Sequence, residues 1–223
     1  MCAVSNPAIF SLKRLLTLAK LKHETLIYGP ISLELCVLSD RQQYSDEEGE
    51  AEKLGISSAQ WPLFGVVWDA GDAMARHLLT ADIEGKRVLE VGCGIGVSSL
   101  ILNRRGADIT AMDYHPEVGK FLARNVELNG DQPIRFVQGS WNDELPELGE
   151  FDLIVGSDLL YEEEHAEALA KFVVRKLAEG GDILFADPGR GFRGRFAKKL
   201  EAAGFRYEAQ KLGKVQIMSF TRD

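Results

Sequence analysis

A strand-like run, Val88-Leu89-Glu90-Val91, leads into Gly92-Cys93-Gly94-Ile95-Gly96 and then into a segment of helical period. Glycines at such a junction let the chain turn sharply and let a ligand lie against bare main chain at a helix N-terminus. Asp113 closes the next strand-like run, where a carboxylate can accept hydrogen bonds from two ribose hydroxyls. A glycine turn followed by such an acid is what a nucleoside-binding α/β crevice needs at the carboxyl ends of its strands. Nicotinamide and flavin dinucleotides are disfavoured: their Gly-x-Gly-x-x-Gly pattern needs a glycine at position 97, and valine stands there. Glu90 argues the same way, because a dinucleotide fold keeps that strand apolar. A carboxylate at this point suits the ammonium end of an amino-acid-bearing nucleoside, S-adenosylmethionine. The alternative is a glycine turn without a ligand and a Glu90 held by a nearby helix terminus.

Residues with these roles need a scaffold that brings strand ends together. From Lys86 onward short apolar runs alternate with helical-period segments, the pattern of repeated βα units and a mainly parallel sheet. Strands are predicted over 87–91, 108–112, 134–138, 151–156 and 182–186, with a closing hairpin over 205–210 and 215–221 around Gly213. Helices are predicted over 69–80, 96–105, 116–129, 163–179 and 192–203, with Gly106, Gly130 and Gly180-Gly181 as C-terminal caps. The fold class is therefore α/β: a three-layer, doubly wound, mainly parallel seven-stranded sheet. Residues 1–60 are read as an N-terminal extension and 61–223 as the α/β domain. Within the extension, 24–39 form a hairpin or extended piece around Gly29-Pro30, and 40–52 form a solvated acidic linker.

Composition narrows the function classes. With 223 residues, 45% apolar and 27% charged, the chain is neither disordered, collagen-like nor a small disulfide scaffold. Twenty-six basic against thirty-four acidic residues leave a net charge of −8, poorly suited to neutralising phosphates, so no nucleic-acid partner is expected. Cys2, Cys36 and Cys93 build no zinc or disulfide pattern and fit a reducing, cytoplasmic compartment. The four histidines show no ligand spacing, and no metal is expected. No apolar run approaches the roughly 20 residues of a membrane helix, so no membrane partner is expected either. The acid-free start, with Lys13, Arg14, Lys20 and Lys22 among Leu12, Leu15, Leu16, Leu18 and Leu21, reads as a surface helix rather than an organelle transit peptide.

The 88–96 run with Asp113 resembles the nucleoside-binding core of class I, seven-strand S-adenosylmethionine-dependent methyltransferases. Gly65-Val66-Val67-Trp68-Asp69, the Ser140-Trp141 pair and Ser157-Asp158-Leu159-Leu160-Tyr161 together resemble methyltransferase family 16, which contains many protein-lysine methyltransferases. The resemblance covers about residues 61–205. It implies a Rossmann-like methyltransferase fold, S-adenosyl-L-methionine as cofactor and S-adenosyl-L-homocysteine as product. It implies cofactor contacts from Trp68, from the loop Gly92, Cys93 and Gly94, and from Asp113, Trp141 and Ser157, beside Glu90, which the strand itself puts forward. Trp61 is expected to be core packing. The Asn/Asp-Pro-Pro-Tyr motif of nucleobase and glutamine methyltransferases is not matched, since Leu159-Leu160 replace the prolines.

Methyl transfer from a sulfonium mainly needs a neutral nucleophile held on the far side of the methyl. A lysine amine, with a pKa near ~10.4 in water, must first lose a proton. Desolvation beside a cationic sulfonium lowers that value, whereas a lone carboxylate raises it. Asp158 is therefore expected to dock and orient the amine, and Tyr161 to present a hydroxyl or ring face at the same mouth. These two are the catalytic candidates. The competing assignment makes Asp158 the N-cap of a helix whose first turn carries Glu162, Glu163 and Glu164. Those four carboxylates are expected to attract a cationic substrate. The expected partner is a protein with an accessible lysine, or else a small-molecule amine; a non-catalytic cofactor-binding module is the rival outside enzymes. Asp187-Pro188-Gly189-Arg190 either lines the substrate opening or is a plain turn, and His115 is expected to cap the following helix.

Overall fold

The computed structural model describes residues 19–222. Most of the acid-free segment, including Leu12, Lys13, Arg14, Leu15, Leu16 and Leu18, lies outside the described residues, while Leu21, Lys22 and His23 open a strand rather than close a helix. That strand, β1 (Leu21–Tyr28), pairs antiparallel with β2 (Ile31–Leu38) around Gly29-Pro30. The acidic stretch, expected to be a solvated linker, is anchored instead. Asp46 accepts the backbone N–H groups of Ala51 at 3.0 Å and Glu52 at 2.9 Å, opening the one-turn helix α1 (Glu50–Lys53) with Ala51 buried. A short carboxylate ahead of free N–H groups starts a helix by satisfying them.

A 3-10 turn (Trp61–Gly65) leads to α2 (Asp69–Leu78), after which strands and helices alternate. They are β3 (Arg87–Val91), α3 (Val97–Arg104), β4 (Asp108–Asp113), α4 (Val118–Leu128), β5 (Arg135–Gln138), β6 (Phe151–Ser157), α5 (Glu163–Lys176), β7 (Leu177–Asp187) and α6 (Arg193–Ala202). The hairpin β8 (Arg206–Leu212) and β9 (Val215–Thr221) closes the sheet in the order β5-β4-β3-β6-β7-β9-β8. The five strands from β5 to β7 run parallel, and β9 lies antiparallel to both its neighbours. Side chains alternate across the sheet with the period of two that a strand imposes. Along β3, Val88 joins one apolar cluster while Leu89 and Val91 join the other.

The first cluster lies under α2, α3 and α4 and includes Met74, Leu78, Ile101 and Phe121; the second lies under α5 and α6 and includes Phe172, Val173, Phe196 and Leu200. Leu33, Leu35 and Val37 of the N-terminal hairpin pack into the first cluster. The fully buried Asn125 of α4 secures it. Its Oδ1 accepts the Cys36 N–H at 2.7 Å, and its Nδ2 donates to Ile95 O of the glycine turn at 3.1 Å.

One predicted boundary fails. α5 stops at Lys176 and passes directly into β7, so Gly180-Gly181 lie within a strand rather than at a helix cap. Lys176, buried, donates from Nζ to Leu145 O at 2.6 Å, and Leu177 pairs with Phe151 before the register shifts to pair Leu153 with Asp182. Gly180, at φ 73°, supplies the positive φ of this bulge.

The chain runs outward from β3 to β5 and then crosses to β6, so strand order reverses between β3 and β6. Open α/β sheets bind ligands at such a reversal, beyond the carboxyl ends of the strands.

Candidate active site

A cavity of about 560 Å³ opens at that reversal, and its wall includes every residue the sequence reading assigned to catalysis or to the cofactor. Gly92 and Gly94 follow β3 with φ of 61° and 52°. A Cβ at Gly92 would stand 2.4 Å from Leu159 Cδ2, and one at Gly94 would stand 2.9 Å from Phe64 O. Position and conformation both demand glycine, and bare main chain faces the cavity. Cys93 between them is buried, and burial among the carboxylates of Asp113 and Glu90 pushes its thiol well above the usual range.

Asp113 ends β4 with its carboxylate bridging two segments. Oδ2 accepts the Gly94 N–H and Oδ1 the His115 N–H, both at 3.0 Å. Burial raises its pKa, and the backbone donors oppose the rise. Each oxygen keeps acceptor capacity, because a carboxylate offers about four lone-pair sites. Glu90 is 3% exposed and points to the face covered by α3. Its Oε2 accepts the Ser99 N–H at 2.9 Å and a hydrogen bond from the Ser99 hydroxyl. Glu90 is thus held by a helix terminus and also lines the cavity, combining the two alternatives the sequence leaves open. Burial pushes it up to about 7, opposed by the Ser99 contacts.

The two cavity tryptophans are placed differently. Trp68 donates from Nε1 to Leu63 O at 2.8 Å, with the Arg41 guanidinium 5.1 Å from its ring centroid. Trp141 stands edge-on to His165, centroids 5.2 Å apart, and Tyr161 meets the same imidazole at 4.6 Å. Burial pushes the Tyr161 hydroxyl above its ordinary value. Trp61 is core, 2% exposed and edge-on to Phe64. His115 accepts the Glu117 N–H on Nδ1 at 3.2 Å just ahead of α4, as a cap would. Burial pushes it down to about 4.

Ser157 ends β6, and Asp158 follows with φ 57°, a left-handed backbone that is rare for a residue with a side chain. Its N–H donates to Ala186 O at 2.9 Å. Asp158 is not the N-cap of α5. That helix begins at Glu163, with Glu162 in the cap position and no side-chain cap bond. The Asp158 carboxylate, 8% exposed, is instead paired with Arg190, whose Nε lies 2.8 Å from Oδ1. Asp187 aims that arginine, accepting the backbone N–H groups of Gly189 and Arg190 at 2.7 Å each.

Three of the four carboxylates expected to draw in a cationic substrate are engaged by neighbours. Glu163 pairs with Arg195, and Glu162 meets Gln60 Nε2 at 3.2 Å and His165 Nε2 at 3.3 Å, leaving Glu164 on the cavity wall. The sequence reading missed His165 and Tyr114 as cavity residues and left Arg190 open, as part of a loop that either lines the substrate opening or is a plain turn. Only Arg190 carried a local signal, since an aspartate with glycine two residues on marks an Asx turn. Among the described residues, no group of three or more ligating side chains could hold a metal ion, and no helix is long and apolar enough to cross a membrane.

Known proteins resemble this chain in sequence and in fold. A family model described as lysine methyltransferase matches residues 55–201. The electron transfer flavoprotein beta subunit lysine methyltransferase of Mus musculus is 34% identical over 133 residues, 58% of this chain and 51% of its own. The chain thus spans about half the length of the curated relatives of that kind. The protein N-lysine methyltransferase METTL21A of Danio rerio is 32% identical over 162 residues, 67% of this chain and 73% of its own. Among solved structures, a ribosomal protein L11 methylase from Lactobacillus delbrueckii subsp. bulgaricus superposes with a TM-score of 0.63 at 19% identity, covering 90% of this chain and 99% of that one. Magnesium protoporphyrin IX methyltransferase from Synechocystis, with bound SAM, superposes at 0.54 with 20% identity, covering 69% and 78%. These two likenesses speak for the fold, a class I methyltransferase sheet. The family match over well over half of the sequence speaks for descent, and the chain belongs to the lysine methyltransferase family.

Proposed function

We propose that this protein transfers a methyl group from S-adenosylmethionine to the side-chain amine of a lysine in a partner protein. One observation carries the reading. Asp158 and Tyr161 stand on the wall of the same cavity as the glycine turn and Asp113, so an amine and a nucleoside could meet there. The names of the relatives, which act on lysines of electron transfer flavoprotein beta subunit and of calmodulin, support a protein substrate.

The residues present fit the cofactor. The Gly92 and Gly94 cradle, which a Cβ would fill, suits an extended ligand tail against main chain. Asp113 would take the ribose hydroxyls on its remaining lone pairs, and Glu90 the ammonium end. Trp141 offers a flat face for the adenine, Trp68 walls the methionine side, and Ser157 closes the floor. Bound there, S-adenosylmethionine would supply a methyl on a sulfonium that departs as a neutral thioether, while the amine's lone pair takes the methyl and the product ammonium gives up one proton. The protein's part is to hold a neutral amine in line and to exclude water. Asp158 accepts a hydrogen bond from the amine, and Tyr161 packs against its methylene stem. The free, buried Cys36 and Cys93 suit the cytoplasmic setting we propose.

Lysate incubated with this protein and methyl-labelled cofactor, beside a control without the protein, and then split into protein, nucleic-acid and metabolite fractions tests this. Label should enter protein, survive nuclease and be recovered as methyl-lysine after acid hydrolysis. Label confined to nucleic acid or to small metabolites would overturn the proposal.

A further inference from the structure

The loop after β7 is built to deliver one guanidinium to one carboxylate. Asp187, 1% exposed, fixes the backbone N–H groups of Gly189 and Arg190 with Oδ1. Gly189 takes φ 106°, a conformation that a side chain would strain. Arg190 emerges with its Nε 2.8 Å from Asp158 Oδ1, while Asp158 itself is held in left-handed backbone by its N–H bond to Ala186 O. One unusual backbone conformation, at Asp158, and a glycine turn on a second segment thus serve one ion pair on the cavity wall. Such conformations persist only where the surroundings over-determine them, and they cluster at functional sites.

A lone carboxylate beside the reacting nitrogen would oppose the reaction, because it favours the ammonium form, which has no lone pair. A carboxylate already paired with a guanidinium carries no net charge to offer, yet keeps an oxygen free to accept a hydrogen bond. We propose that Arg190 is a positioning residue for the methyl-accepting amine: it occupies Asp158 as counter-ion, so that Asp158 receives the neutral amine and does not retain the ammonium. The proposal rests on the lysine-methylation reading above and deepens it.

Other charges face the same spot from every neighbouring element. From the β6 end come Tyr161 and Glu162 and, in the first turn of α5, Glu164 and His165. From β3 and β4 come Glu90, Asp113 and Tyr114, and from the β7 loop comes Asp187, whose charge Arg193 also offsets. All but Arg190, Arg193 and His165 are neutral or acidic, so Arg190 is the cation that decides the balance at Asp158.

The test uses the full chain and the lysate protein band most strongly labelled by the wild type. Initial rates are measured across pH 6–10 for wild type, Arg190→Gln and Arg190→Lys, beside S-adenosylhomocysteine affinity and thermal midpoint. Arg190→Gln should move the acid limb of the kcat profile up by about one to two pH units, the size of effect a nearby opposite charge has on an ionisable group. At pH 7 that is a loss of roughly tenfold or more in kcat. The Michaelis constant should stay level or fall, cofactor affinity should hold within about twofold, and Arg190→Lys should restore most of the profile. Unchanged activity, or a uniform loss at all pH values without rescue by lysine, would overturn the role of Arg190 and leave lysine methylation standing. A wild type that labels no protein overturns both.

Discussion

Asp113 and Glu90 face one cavity and differ in what binds them, which separates their expected behaviour. Both oxygens of Asp113 hold backbone N–H groups as well as facing the cavity. Asp113→Asn should therefore weaken S-adenosylhomocysteine binding by about 1–3 kcal/mol by calorimetry, the cost of losing a charge-assisted acceptor, and NAD should give no heat with the wild type. Glu90 rests at about 7 against an ordinary 4.5. A cationic ammonium recruits its ionised form, so cofactor affinity should rise with pH, by up to about tenfold per unit below 7, and level off above. The sign for stability is opposite. The folded state holds the Glu90 proton more tightly than the unfolded chain, so stability falls as pH rises from 4.5 to 7. Glu90→Gln should abolish the pH dependence of binding and gain melting temperature over the wild type between pH 5 and 8. Asp113 and Glu90 were legible in the sequence because each stands at a fixed place on a strand beside the glycine turn. Arg190 was legible only as part of a loop that could line the opening; its pairing was not, since its partner Asp158 lies 32 residues away and no local period links them.

At the scale of elements, the β strands were read well where apolar runs are short and bounded by glycine or charge, as in β3 and β6. The end of α5 was misread for a physical reason. Leu177 and Ala178 extend a helical pattern, and a glycine pair just beyond them imitates a cap. Pairing of Leu177 with Phe151 wins over that local preference. The acidic stretch around Asp46 misled in the other direction: its polarity hid a carboxylate that starts α1. The glycine turn makes the sharpest element-level prediction. Gly92→Ala must strain a left-handed backbone and push Leu159 aside, at a cost of about 1–2 kcal/mol for the backbone alone. Its urea midpoint should drop accordingly, and S-adenosylhomocysteine binding should weaken more than in a surface control such as Lys198→Ala in α6.

For the whole molecule, charge sets how a partner arrives. At −8 overall, the protein should meet a basic protein faster at low salt, with the Michaelis constant rising with ionic strength while kcat holds. With Glu162 and Glu163 engaged by neighbours, Glu164→Gln should carry most of the local part of that effect.

Asn125 belongs to this scale too, because one amide joins the N-terminal hairpin to the glycine turn. Seen as a timetable of synthesis, the join is late. The Cys36 N–H and its acceptor are separated by 89 residues, which a ribosome needs roughly 5–20 seconds to traverse. An isolated two-stranded hairpin is marginal in water, so Leu33, Leu35 and Val37 must wait uncovered until α4 emerges. The hairpin is made before the α/β repeat and secured only after it reaches α4, so a nascent chain paused before residue 125 leaves those three apolar side chains uncovered.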